Sequence, residues 1–147
     1  MNAFNLPSLP CLCSNIRRAG RAISQLYEVE LRPLGLHTTQ FTILQFLDRA
    51  GEVTQKRMGE MLAMDTTSLT RTLAIMVREG WIAERPGKDR RERWLRLSNE
   101  GEKQLKRALP AWNKVQSRLC QQLGEQSWNS LMQLNDRVAN LVGKGAE

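Results

Sequence analysis

Residues 54 to 97 carry the pattern that most narrows what this chain can fold into. Thr54 precedes a short apolar-periodic stretch through Met58, Met61 and Leu62, then comes A-M-D, then a longer periodic stretch that ends before Gly80. Thr54 and Asp65 or Thr66 are residue types that cap helices, and Gly80 is the type that stops one. The spacing predicts two helices joined by a turn of about three residues. In the second helix Leu69, Leu73, Met76 and Val77 form an inward stripe, while Thr67, Ser68, Thr70, Arg71, Ala74 and Arg78 fall elsewhere. After Gly80, W-I-A-E-R and the alternating R-W-L-R-L flank a charged P-G-K-D-R-R-E, which reads as a two-stranded hairpin with a charged tip. Arg85 to Arg96 hold six basic and two acidic residues. Short helix, tight turn, polar-faced helix and basic hairpin, in that order, make a winged helix-turn-helix.

The flanks are helical as well. Leu12, Ile16, Ala19, Ile23, Leu26 and Leu31 recur at helical spacing, and Pro33 and Gly35 end that run. Thr38 is the expected cap of a helix carrying Phe41, Ile43, Leu44, Phe46 and Leu47 up to Gly51, and Val53 can start a brief strand. Ser98 opens a long helix with Leu105, Leu109, Trp112, Val115, Leu119 and Leu123 inward and Pro110 bending it. A last helix from Glu125 carries Trp128, Leu131, Leu134, Val138 and Leu141. The first and last two helices hold more apolar surface than a small winged domain needs, so a second copy is expected to cover it. The predicted class is mainly α with a small β-hairpin wing. Residues 1–10 read as a flexible arm, 11–34 and 99–147 as dimerisation helices, and 35–98 as the winged region, all one intertwined domain. At about 150 residues per domain, the 147-residue chain has room for no more.

Charge and residue usage exclude several classes. A net charge of +7 and a pI near 9.9 suit a chain that meets polyanions. No apolar run approaches the roughly 18 to 20 residues that span a bilayer, so no membrane partner is expected. The N-terminus lacks a basic region before Pro7 and Pro10, and three cysteines are too few and odd in number for a disulfide framework. A cytoplasmic protein is expected. His37 is the lone histidine, and no G-x-x-x-x-G-K-[ST] or G-x-G-x-x-G loop is present. An enzyme using a cysteine nucleophile therefore lacks a base, and no cofactor or metal is implied.

A helix of about 10 to 12 Å diameter fits the major groove, and the side chains at its N-terminal end must be short or donor-rich to approach base edges. Thr66, Thr67, Ser68, Thr70 and Arg71 meet that requirement, with the hydroxyls serving bases or phosphates and Arg71 a guanine or a phosphate. Lys88, Arg90, Arg91 and Arg93 on the wing suit phosphates or a narrow minor groove. In L-H-T-T-Q-F-T-I-L, in M-D-T-T-S-L-T-R-T-L-A-I-M-V-R-E-G-W-I and in D-R-R-E-R-W-L-R-L-S-N-E-G, the chain resembles the multiple antibiotic resistance regulator (MarR) family of bacterial dimeric repressors. The resemblance covers nearly the whole chain. It implies that Asp89 fixes Arg91 for entry into the minor groove and that two copies read a pseudo-palindromic double-stranded DNA operator. It also implies a cleft between dimer helices and winged region that takes a small, often phenolic or aromatic effector.

Two features keep more than one reading. Cys11 and Cys13 stand at the start of the first helix before Arg17, Arg18 and Arg21. They are either two small semi-buried residues or a thiol switch toward oxidants or soft ions, with Cys120 joining across a dimer interface. Arg17, Arg21, Phe41 and Trp112 are the residues expected to meet an effector's carboxylate and ring, although Trp112 and Trp128 also fit as packing residues. The leading functional expectation is a sequence-specific repressor released by an effector or a thiol signal. The alternatives are a sequence-neutral DNA-coating protein and a small cysteine-dependent enzyme.

Overall fold

A computed structural model describes residues 10–143 of the protein. The predicted arm, apart from Pro10, lies outside the described residues. The elements follow as α1 (Leu12–Leu31), a 3-10 turn (Arg32–Leu34), α2 (Thr38–Ala50), β1 (Val53–Thr54), α3 (Gln55–Leu62), α4 (Thr66–Arg78), β2 (Ile82–Pro86), β3 (Arg93–Leu97), α5 (Asn99–Leu123) and α6 (Glu125–Gly143). The class is mainly α with a small antiparallel sheet, as the residue pattern predicts.

The wing differs from the predicted hairpin in having a third strand. The sheet order is β1-β3-β2, with Val53 opposite Leu95 and Thr54 opposite Trp94, so the hairpin is sewn to the start of α3. A further correction concerns the entry to α2. His37, not Thr38, is the N-cap, and its backbone N–H donates to Gln40 Oε1 at 2.9 Å. Thr38 is the first helical residue, and its free N–H donates to Glu28 Oε1 on α1 at 2.8 Å. The other carboxylate oxygen of Glu28 lies 3.2 Å from His37 Nδ1. One acidic side chain ten residues upstream therefore closes the end of α2 and sets the angle between the two helices.

The core is built from single stripes of each helix around β3. Leu31, Leu36, Phe41, Ile43, Leu44 and Leu47 meet Met58, Leu69, Leu73, Met76, Ile82 and Leu95, all nearly fully buried. α5 joins through Leu105, Ala108 and buried Gln104, whose Nε2 donates to the Leu34 carbonyl at 2.8 Å and whose Oε1 accepts from Arg107 at 3.0 Å. Both ends of that amide are satisfied, as a buried polar group requires. Lys114 pairs with Glu30 at 2.7 Å and ties α5 to α1 on the outside.

The junction of wing and α5 is tight. Ser98 caps α5 by accepting from the Gly101 N–H at 3.0 Å, its own N–H donates to the Trp81 carbonyl at 3.0 Å, and its hydroxyl donates to the Gly80 carbonyl. A Cβ at Gly101 would run into the Trp81 carbonyl. Glycine is required here by close approach of backbone, not by its dihedral freedom. α5 continues through Pro110, and α6 packs against α5. Leu123, predicted inward, is exposed on the single chain, as are Leu131 and Leu134; Leu12 is 66% and Leu141 71% exposed. These helices have run past the core that one chain can supply.

Gly101→Ala should lower stability by about 1 to 3 kcal/mol. The measurement is the midpoint of urea unfolding, and an unchanged midpoint would contradict the close approach.

Candidate nucleic-acid interface

α4 owes its start to Asp65. Its Oδ1 accepts from the Ser68 N–H at 2.8 Å, and the backbone hydrogen bond from Ser68 holds the carboxyl below its ordinary range. The turn before it is tight because Ala63 takes a left-handed conformation, φ 50°, and the Met64 N–H donates to the Gly59 carbonyl at 3.0 Å. Leu69, Leu73 and Met76 then bury one face. That burial leaves Thr66, Thr67, Ser68, Thr70 and Arg71 exposed on one end of the helix, as the spacing predicts.

The wing sorts its cations into two groups. Arg85 forks onto Glu52, its Nε 3.1 and 3.2 Å from the two carboxylate oxygens, and its guanidinium lies 5.1 Å from the centre of the Trp94 ring. The hydrogen bond from Arg85 holds Glu52 below its usual range. Arg93 pairs with Glu84 on the neighbouring strand. These two arginines fasten the strands just below the tip of the wing, each beside a carboxylate that offsets its charge. Lys88, Arg90 and Arg91 sit exposed on the tip, outside these ion pairs. Asp89 Oδ1 accepts from the backbone N–H of Arg91 at 3.0 Å, and the Glu92 N–H donates to the Asp89 carbonyl at 3.0 Å. Asp89 therefore shapes the turn that carries Arg91, rather than pairing with its guanidinium.

Between α3, α4 and the wing runs a cleft of about 930 Å3. Thr66 and Thr70 of α4 line it with Asp89, Arg91 and Arg93 of the wing, so residues singled out on two separate segments meet on one surface. Gln55 and Lys56 at the start of α3 line it too. The sequence pattern missed these two; the only signal was their place directly after the cap Thr54. Such a surface can admit an acidic, roughly cylindrical polymer: short donors on a helix end, free cations on a projecting tip, and a channel between them.

A family model described as MarR family matches residues 34–92. An uncharacterised HTH-type transcriptional regulator of Bacillus subtilis, YwoH, is 33% identical over 92 residues, 63% of this chain and 67% of that protein. The chain belongs to the MarR family. The transcriptional regulator MosR of M. tuberculosis, solved in complex with DNA, is 28% identical with a TM-score of 0.82, covering 93% of this chain and 99% of that one. NadR, solved in complex with 4-hydroxyphenylacetate, shares the fold at 20% identity and a TM-score of 0.75, covering 91% of this chain and 98% of that one. This MarR-family protein is thus a DNA-binding transcriptional regulator. Among its described residues no helix is long and apolar enough to cross a membrane.

The remaining site candidates of the regulator fall as follows. Phe41 is part of the buried core, 2% exposed, and its ring stands 6.1 Å from that of half-buried Trp112 at a tilt of 34°. Arg17 and Arg21 are exposed on α1. Cys11 and Cys13 are exposed rather than semi-buried, and Cys120 is half-buried. Cys11 is the N-cap of α1, and the Ser14 backbone N–H holds its thiol below the ordinary value. Among the described residues no group of three or more His, Cys, Asp or Glu side chains is gathered to hold a metal ion.

Two outcomes follow from this geometry. Arg91→Gln should flatten the slope of log affinity against log salt by about one for each chain on the DNA, and Arg93→Gln, whose charge Glu84 already offsets, should flatten it less. Equal effects in a salt titration would contradict the sorting of the wing. Because the Asp65 pKa is lowered on folding, its cap stabilises above the ordinary carboxylate range and is lost as pH falls through the lowered value. The stability gap between the native protein and Asp65→Ala should hold near neutral pH and close below about pH 4. Melting temperatures across that range check it.

Proposed function

We propose that the protein is a homodimeric, sequence-specific repressor that acts in the cytoplasm, reads a pseudo-palindromic operator, and is released by a small effector or a thiol-directed signal. The observation that carries this reading is the cleft itself. It brings Thr66 and Thr70 of α4 and the exposed Arg91 of the wing tip onto one face. Thr66, Thr67, Ser68, Thr70 and Arg71 enter the major groove, and Lys88, Arg90 and Arg91 hold phosphates or the adjacent minor groove, with Asp89 shaping the loop and Arg93 bracing it.

Dimerisation through residues 11–34 and 99–147 is supported by the open apolar faces of α1, α5 and α6. A two-fold pair of winged regions, residues 35–98, then meets half-sites about 34 to 36 Å apart on one side of the duplex. The protein's role is binding, with no step of catalysis assigned to its cysteines and no cofactor needed. For the effector we propose a phenolic or aromatic acid between helices α1, α2 and α5, meeting Arg17, Arg21 and half-buried Trp112, with Phe41 backing the Trp112 ring from the core. The 4-hydroxyphenylacetate bound to NadR supports that ligand class. The thiol route rests on Cys11 and Cys13, both exposed, with Cys11 at a helix start that favours its thiolate. Cys120 of a second copy is the candidate partner.

Fluorescence anisotropy with DNA from directly upstream of the reading frame, against shuffled DNA at the same salt and under reducing conditions, tests the reading. A preference of about a thousandfold or more is expected of a specific binder. Equal weak binding to the two would favour the DNA-coating alternative. Changing Cys11 and Cys13 to Ser should abolish any release caused by oxidant or arsenite, and an unchanged response would remove the thiol route.

A further inference from the structure

Thr70 sits on the exposed side of α4, and the Gln55 side chain of α3 reaches it. Gln55 Nε2 donates to Thr70 Oγ1 at 2.9 Å. The other end of that amide, Oε1, is buried without a donor among the described residues. Of the two ways to set the amide, this one leaves a single carbonyl oxygen unpaired, whereas the reverse would strand an NH2 group with two donors. Unpaired buried carbonyls are the better tolerated of the two.

A hydroxyl that accepts from an amide keeps its own proton for another partner. Threonines in helices commonly spend that proton on the carbonyl four residues back. Thr42 does so onto Thr38 at 3.0 Å, and Thr72 does so onto Ser68 at 2.9 Å. Thr70 makes no such bond among the described residues. Its proton is left for a group outside the chain.

The charge around Thr70 does not select that group. Lys56, Arg91 and Arg93 line the cleft, but so do Glu60, Asp89 and Glu92. With the two signs balanced, the polarity of a hydrogen bond is what distinguishes one partner from another.

We infer that Gln55 is a positioning residue that, by occupying one lone pair of the Thr70 hydroxyl, turns its proton toward a hydrogen-bond acceptor on DNA. The inference rests on the reading of α4 as the DNA-facing helix. The acceptor is a phosphate oxygen or a base-edge acceptor, N7 or O6 of guanine, N7 of adenine or O4 of thymine. Gln55 itself need not touch DNA; it acts through Thr70.

The test uses the full-length protein and an operator recovered by selecting it from random DNA. That selection tests the reading alone, since recovery of no operator would remove it. On the recovered operator, Thr70→Val and Gln55→Leu should each weaken binding by about tenfold, the usual scale for a hydrogen bond involving DNA's charged or base-edge groups. The double variant should be no weaker than either single one. Gln55→Glu offers only acceptors, so it takes the Thr70 proton and leaves the hydroxyl to accept. If the partner is a base, preference at one operator position should move to an amino-bearing edge, cytosine N4 or adenine N6. If the partner is a phosphate, the loss should be the same for every sequence and should vanish when one linkage is replaced by a neutral methylphosphonate. Melting midpoints of each variant separate these effects from unfolding. Additive losses in the double variant, or Gln55 variants that bind like the native protein, would overturn the inference while leaving the DNA reading in place.

Discussion

Leu12, Ile16, Leu123, Leu131, Leu134 and Leu141 stand exposed on the single chain. Fully burying one such side chain is worth roughly 1.5 to 3 kcal/mol, while a whole domain is stable by only about 5 to 15 kcal/mol. Covering half a dozen of them is therefore comparable to the entire margin of stability. That requirement organises the molecule. The winged region closes its own core around Leu95, Met58 and Leu73, each fully buried, whereas the ends of α1 and α5 and the whole of α6 run beyond it. The proposed self-complementary pairing of these ends would answer the requirement and hold two reading heads at one fixed separation.

Within each head, small polar contacts set direction. Glu28 spans α1 and α2 by capping Thr38 and meeting His37. Ser98 and Gly101 lock the wing to α5 against the Trp81 carbonyl. Asp65 fixes the first turn of α4. Each contact is worth little alone, yet together they leave few ways for α4 and the wing to move apart. The three-stranded sheet serves the same end, because β1 joins the wing to α3 and so to the helix-turn-helix itself. Movement of α1 or α5 in response to a ligand or an oxidised thiol would thus carry to α4 through named contacts.

Much of this was legible in the residues, and the parts that were not share a cause. The limits of α1 and α4, the caps Thr54, Asp65 and Ser98, and the exposed hydroxyls of α4 depend on neighbours within a turn or so. Periodicity and cap chemistry report such neighbours directly. The cap of α2 was misplaced by one residue because its partner Glu28 lies on the preceding helix. A brief strand at Val53 is expected from the residues, but its place in the wing sheet is not, because Val53 finds Leu95 only through the register of the folded sheet. For the same reason Arg93 read as a free cation, although Glu84 faces it across the strands. Gln55 and Thr70 are fifteen residues apart on different helices, and no local pattern links them. The orientation of Asp89 toward a backbone N–H rather than a guanidinium likewise belongs to the turn's geometry.

The central claim is that the open apolar helices exist to bring two reading heads to one DNA site. Sedimentation velocity on the free protein and on its complex with a single operator duplex measures this directly. The account predicts a free species of twice the 16.8 kDa chain mass and a complex with two chains on one duplex. A free monomer that binds the same duplex as one chain, with undiminished preference over shuffled DNA, would contradict it.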